Sequence, residues 1–357
     1  KVITGKTPRT SILENYGGKI PFLTPSDNLS EKFSPTTSKT LTKIGLNEVK
    51  NCLLPSKSIC VSCIGSDLGK VVLTKKPTVT NQQFNSIVPN EENDADFIYY
   101  LMTVVGKHLN YLSKTSTAVP IINKSTFANY EIEIPNIKEQ KRIGEILSSL
   151  DDKIELNRRI NDNLEQQAQA LFNEMFPHIT EGENMIGDLI MPKRGKGLLS
   201  KNAIKGDIPV VAGGIEPATY HNQANTTAPV LTIAASGANA GYINLWHIPV
   251  WASDSSYIDD SITPNVYFWY IMLKKRQKEI FDAQVGSAQP HIYPKHIAEL
   301  PMNVVFVEKI AEYNEIVTPI FEKKGQLYLE SKRLTSLRDT LLPKLMSGEL
   351  KINDINN

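Results

Sequence analysis

Residues 139–175 read EQKRIGEILSSLDDKIELNRRINDNLEQQAQALFNEM, and this stretch decides the fold. Stepping 4 then 3 from Ile143 gives Ile143, Leu147, Leu150, Ile154, Asn157, Asn161, Leu164, Ala168, Leu171 and Met175. Eight of these ten are apolar, and charged residues fill the faces between. Apolar residues recurring every 3.5 positions let two helices wind around each other. No proline lies between Asn136 and Phe176. The spacing predicts one long helix, too polar outside its seam to be buried alone, that needs a partner helix.

The partner lies in the same chain, 170 residues on. Adding that offset gives Tyr313, Val317, Ile320, Lys324, Leu327, Ser331, Leu334, Arg338, Leu341 and Leu345, seven of them apolar. Upstream, 97–101 (FIYYL) matches 267–271 (YFWYI), and 116–120 (STAVP) matches 286–290 (GSAQP). The period is far above the 20–50 residues of a solenoid. It predicts a duplicated domain followed each time by a long helix: 1–135, 136–177, 178–305 and 306–357. The class is α+β, with two similar mixed α/β domains and two long helices forming an antiparallel coiled coil around a pseudo-two-fold repeat. Thr318-Pro319 and Pro343 are expected to kink or restart the second helix.

The chain has 357 residues, 41% hydrophobic and 22% charged, with a net charge of +1. The charge is uneven: 15 basic and 11 acidic residues in 1–135, 6 and 8 in 136–177, 10 and 11 in 178–305, and 8 and 8 beyond. Such a chain is not a bulk polycation for nucleic acid, so any nucleic-acid contact must use local patches. Three cysteines suit a reducing cytoplasm rather than a disulfide scaffold. Cys60 and Cys63 have metal-like spacing but no second pair. On the strand expected over 58–64 their sulfurs face opposite ways, so they read as buried thiols. No signal peptide or membrane span is visible. Ile186-Gly187-Asp188-Leu189 precedes the segment matching residues 2–6, so further residues are expected ahead of Lys1.

Both domains open on a polar loop: Gly5-Lys6-Thr7-Pro8-Arg9 in the first, Lys193-Arg194-Gly195-Lys196 in the second. A strand at 19–24 matches one at 207–211 with an offset of 188, so the first domain carries about 18 extra residues, expected in an irregular stretch reaching Gly45. Two strands flank the turn Gly65-Ser66-Asp67-Leu68, and two more flank Ser236-Gly237-Ala238-Asn239-Ala240-Gly241. The run Asn81-Gln82-Gln83 is rich in amides able to pair with adenine edges. Trp251-Ala252-Ser253-Asp254 takes its place in the second domain. Helices are expected over 96–112 and from Thr263-Pro264, with Thr263 as cap. His291 and His296 read as loop histidines rather than metal ligands.

Several segments in fixed order carry a family resemblance: 17–24 (GGKIPFLT), 61–65 (VSCIG), 80–85 (TNQQFN), Ile134-Pro135 before 139–143 (EQKRI), and 341–350 (LLPKLMSGEL). With the duplicated layout, the chain resembles the specificity subunit of type I restriction–modification systems across essentially its whole length. The resemblance implies two target recognition domains, each reading half of a split, asymmetric site in double-stranded DNA. It implies two helices that dock two methyltransferase subunits, with restriction/translocase subunits joining the full complex. It implies no cofactor and no catalysis by the chain itself, in keeping with the lack of an amino-methylation motif or a Walker loop. DNA contacts are expected at Lys6, Thr7, Arg9, Ser26, Ser66, Lys70, Asn81, Gln82 and Gln83. In the second domain they are expected at Lys193, Arg194, Lys196, Ser236, Asn239, Ser253, Gln289 and His291. The Ser236–Gly241 turn departs from the pattern by lacking a basic residue. Two other readings are a protein-binding scaffold with two modules on a coiled coil, and a nuclease using Asp254, Asp259 and Asp260.

Overall fold

The long helix expected from the 3.5-residue seam spans Ile137–Met175, and its counterpart spans Val307–Met346. The computed structural model describes residues 1–33, 36–113, 121–286 and 289–351. The repeat at 116–120, residues 287–288 of its second copy and the tail beyond Lys351 lie outside the described residues. The second helix runs unbroken through Pro319 and Pro343, so the expected restart does not occur. Beside Pro319, the Thr318 hydroxyl donates to the Asn314 carbonyl at 2.7 Å.

The chain divides through the middle of both helices into two compact units, Lys1–Glu155 with Ser331–Asn357 and Leu156–Glu330. Each unit therefore holds half of each helix. In the second unit, Asn157 meets Glu330, Glu165 meets Lys324, and the Tyr313 hydroxyl donates to the Ala168 carbonyl. One partner's number rises as the other's falls, so the two segments run antiparallel there. In the first unit, Asp151 takes Arg338 at 2.6 Å, and Ile143 and Leu147 share a core with Leu342 and Leu345.

Burial along the helices departs from the simple seam. In the second unit the seam residues Ala168, Tyr313 and Val317 are fully buried, but so are Phe172 and Phe321, one position off Leu171 and Ile320. There the helices must cover the aromatic helix Val266–Lys275 as well as each other, which widens the apolar stripe. Phe172 lies 5.5 Å from both Phe268 and Tyr313, ring centre to ring centre. Burying one such side chain contributes about 2–3 kcal/mol.

The first unit has two four-stranded sheets. One orders Val2–Thr4, Phe84–Ile87, Ile59–Ser62 and Val71–Leu73 side by side, with helix Ala95–Ser113 packed against it. The other centres on Tyr16–Leu23, which pairs in parallel with Thr78–Thr80. The stretch expected to be irregular holds strand Lys39–Leu41 and helix Lys43–Glu48, which Thr42 caps through Gly45 N–H. The second unit repeats the first sheet as Lys193–Arg194, Ser255–Ile258, Val230–Ala234 and Ile243–Trp246. Its second sheet has three strands, again with a parallel pair, Ile208–Val211 beside Trp251–Ala252. Cys60 and Cys63 lie in separate apolar clusters as free thiols, and burial pushes Cys60 up to about 12. No helix among the described residues is long and apolar enough to cross a membrane.

Candidate nucleic-acid interface

In each unit the two main sheets meet at one end, and the polar loops collect there; the second unit has in addition the strand pair Asn184–Met185 and Pro301–Met302. In the first unit Gly5 N–H donates to the Phe84 carbonyl and Lys6 N–H to that of Thr80. Asn81 N–H donates to Leu23, and Cys63 N–H to Gln83. In the second unit the same four bonds run from Gly195 to Ser255, Lys196 to Ala252, Ser253 to Val211 and Ala235 to Asp254. The turns agree as well. Gly65 and Gly69 have φ of 84° and 88°, and Gly237 and Gly241 have 83° and 87°, a region that favours glycine. The backbone skeleton is thus duplicated bond for bond. Between Asn81 and Phe84 the first unit has two residues where the second has only Asp254, and the additional one is the exposed Gln82.

The skeleton brings most first-unit candidates together. Gly5 packs so closely on the 80–82 turn that an added Cβ would lie 2.2 Å from the Asn81 carbonyl. This sets exposed Lys6 and half-buried Thr7 beside it, with the Thr7 hydroxyl donating to Gln82 at 2.7 Å. Asn81 is buried and spends its amide on Gln83, donating through Nδ2 at 2.9 Å and accepting from Gln83 N–H at 3.1 Å. It orients the turn, while Gln82 projects from it. Ser26 is exposed in the adjoining turn, its hydroxyl 2.7 Å from that of Thr24. Ser66 and Lys70 flank the next turn, with Lys70 paired to Asp67 at 2.8 Å. Arg9 is engaged differently. Its guanidinium grips Glu48 at 2.7 and 3.0 Å, and that pair holds the Glu48 carboxyl down at about 2.

In the second unit the hub is Asp254. It accepts from Arg194 at 2.6 Å and from the Ser236 hydroxyl, and Ser236 is bridged through the backbone to His291. The His291 ring stacks on Tyr293 at 5.9 Å. Gln289 is exposed close by in sequence, and Asn239 is half-buried in its turn. Ser253 is buried, its hydroxyl accepting from Leu198 N–H at 2.9 Å. Lys196 is exposed, with its carbonyl held by the Trp251 indole at 2.8 Å. Lys193 is not brought into this cluster; its ammonium reaches Ser261 at 3.1 Å. Buried Asp259 is spent on Thr227 N–H and Ser261, and Asp260 on the Thr227 hydroxyl. Sequence reasoning missed Asp254 as the organiser, because its ion pair joins residues sixty positions apart.

The comparisons with known proteins fall on this architecture. The family model for the type I restriction modification DNA specificity domain matches residues 1–166. The specificity subunit of the type I restriction enzyme MjaIX from Methanocaldococcus jannaschii is 26% identical, over 99% of this chain and 92% of that protein. The HindI specificity subunit from Haemophilus influenzae is 36% identical over 45% of this chain and 36% of its own length. The crystal structure of the type I S subunit from M. genitalium shares the fold, with a TM-score of 0.60 at 23% identity, covering 97% of this chain and 93% of that one. Residues 1–166 thus match the type I restriction modification DNA specificity domain, and over nearly its whole length the chain is similar to a type I restriction enzyme specificity subunit.

Proposed function

We propose that the chain reads a split, asymmetric site in double-stranded DNA, one half-site per unit, through the loop clusters just described. The observation that carries this reading is the duplicated backbone skeleton bearing different side chains. The Gln82 amide projects from it in the first unit, where the second carries an Arg–Asp–Ser network. In the proposed scheme Lys6 and Lys196 touch phosphates, Gln82 reads a base edge, and Arg194 and Asp254 offer a donor and an acceptor to others. Asn81 and Ser253 hold these loops in place. Arg9 would reach a phosphate only by exchanging Glu48. The long helices dock two methyltransferase subunits, restriction/translocase subunits complete the assembly, and the chain itself performs no chemistry.

The test is a domain exchange in the assembled methyltransferase. Replacing residues 1–135 with those of another family member should change one half of the methylated motif and leave the other intact. A change in both halves overturns the reading. Point variants sharpen it. Gln82→Ala should relax one base position at a cost of roughly 1–3 kcal/mol, and Lys6→Ala should weaken all sequences alike and lower the salt slope by about 1.

A further inference from the structure

The first unit covers an edge that the second leaves open. Its sheet ends on strand Val71–Leu73, where the outward Leu73 N–H donates to the Lys32 carbonyl at 2.7 Å. The Lys32 ammonium reaches Asp96 at 2.6 Å and lies 4.8 Å from the Tyr100 ring centre. Phe33 follows, with Lys75 over its ring at 4.6 Å. This segment belongs to the extra residues that the second unit lacks.

The second unit's equivalent edge is Ile243–Trp246. Ala234 N–H donates to the Tyr242 carbonyl, so by alternation Ile243 and Leu245 turn their backbone groups outward. Ile243 is met by Gln277 at 3.0 Å and by Lys274 at 3.3 Å. Leu245, the counterpart of Leu73, faces a cavity of about 280 Å³ that Tyr270, Lys274, Lys324 and Tyr328 also line. Tyr270 is the counterpart of Tyr100. Small-molecule pockets usually begin at about 300 Å³, so this one suits a single side chain better than a cofactor. Lys324 already supplies a cation here, 5.8 Å from the Tyr270 ring centre and paired with Glu165.

We propose that this edge and cavity dock an extended segment of a partner protein. The segment adds a short strand beside Leu245, gives a carbonyl to its N–H, and places an aromatic ring where the first unit has Phe33. It carries no lysine at the place of Lys32, because Lys324 fills that role. Strand addition takes its affinity from main-chain bonds and its specificity from alternate side chains. This inference does not rest on the DNA reading.

The probe is a synthetic peptide copying residues 28–33, NLSEKF, added to the full isotope-labelled chain, with Leu245 amide exchange read by NMR. Binding should slow that exchange and shift the Leu245 amide. Alanine at the peptide's lysine position should leave the effect intact, whereas alanine at its phenylalanine position should weaken it roughly tenfold. L245P, which an edge strand tolerates, should abolish the response of its neighbours. No change at Leu245 with millimolar peptide, or equal binding by the phenylalanine-to-alanine peptide, overturns the proposal even if L245P fails to fold.

Discussion

The core helices of the two units begin in the same place and are capped by opposite means. In the first unit Asp94 is the cap, accepting from Phe97 N–H at 2.9 Å, while its own N–H donates to Gln140 on the long helix at 3.0 Å. Gly144, one turn along that helix, leaves room for the carboxylate; a Cβ there would lie 2.6 Å from it. In the second unit the equivalent residues are Pro264, Ile310 and Asn314. Proline has no N–H to satisfy, so an apolar Ile310 replaces the glutamine. Asn314 fills the space above the glycine position and caps Tyr267 and Phe268 at 3.1 and 3.3 Å. Three differences scattered over fifty residues are thus one change. Duplication preserved the demand, that helix-start N–H groups be met, while each copy answered it separately.

The largest break in the comparison should come at the turns. Gly69 and Gly241 share a positive φ but not their neighbours. A Cβ on Gly69 meets the Gly106 backbone carbonyl at 2.1 Å, whereas on Gly241 it meets the Ile280 side chain at 2.8 Å. Backbone cannot step aside as a methyl can. Gly69→Ala should therefore cost roughly 3–5 kcal/mol, and Gly241→Ala roughly 1–3. Denaturant unfolding of both variants checks the ordering, and equal costs would remove the argument from neighbours.

The buried cations come next. Lys32 is 7% exposed at its side chain and bonds both Asp96 and Ser148. Its removal leaves Asp96 with the Ser148 hydroxyl at 3.2 Å and, as its cation, the exposed Lys57 at 3.3 Å. Burial lowers the Lys324 ammonium to about 8 despite Glu165 beside it, so that charge is held at a cost. Lys32→Met should destabilise by roughly 2–3 kcal/mol and Lys324→Met by less than about 1. A thermal shift larger in Lys324→Met would reverse the assignment.

The architecture was legible because a 3.5-residue seam and a 170-residue repeat are long signals that single substitutions do not erase. The Gly195–Lys196 match to Gly5–Lys6 was legible too, since both loops dock backbone to backbone. Other features were hidden. Strand Lys39–Leu41 sits in a polar stretch and owes its form to pairing with Ile20–Phe22. Thr263 does not start its helix, because the cap comes from Asn314 on a distant element. Asp254 read in the sequence as one of three candidate nuclease carboxylates, and only the fold brings Arg194 and Ser236 to it. Local pattern carries elements, whereas site geometry depends on contacts that sequence distance conceals.

Acid should separate the units further. Burial against Gly325 lowers His247 to about 4, while the first unit has Lys75 at that place. A histidine depressed in the fold contributes stability that is fully present above its unfolded pKa near 6.5. That stability is lost as pH falls toward 4. With about 1.4 kcal/mol per pH unit, discounted for partial exposure, the loss should be on the order of 2 kcal/mol. Hydrogen exchange at pH 4.5 should accelerate in strand Val230–Ala234 before Ile59–Ser62, and His247→Gln should remove the difference. An unchanged difference in that variant would assign the acid sensitivity elsewhere.

The smallest net effect should come from transplanting the cap. Asp94→Pro alone removes both the acceptor for Phe97 N–H and the donor to Gln140 Oε1, and losing such a cap costs about 1–2 kcal/mol. Gly144→Asn alone presses on Asp94, against a helix-propensity gain of a few tenths of a kcal/mol over glycine. Gln140→Ile alone strands the Asp94 N–H and the Pro135 carbonyl, which Gln140 now meets at 2.8 Å. Made together, the three reproduce the second unit's arrangement, with an asparagine oxygen over the helix start and no N–H to satisfy. Their sum predicts a loss of roughly 3 kcal/mol, whereas the transplanted cap predicts a loss under about 1, because neighbours in one network do not add. A triple variant as unstable as the sum of its singles would show that the three positions differ independently and that the correspondence between the units ends at the backbone.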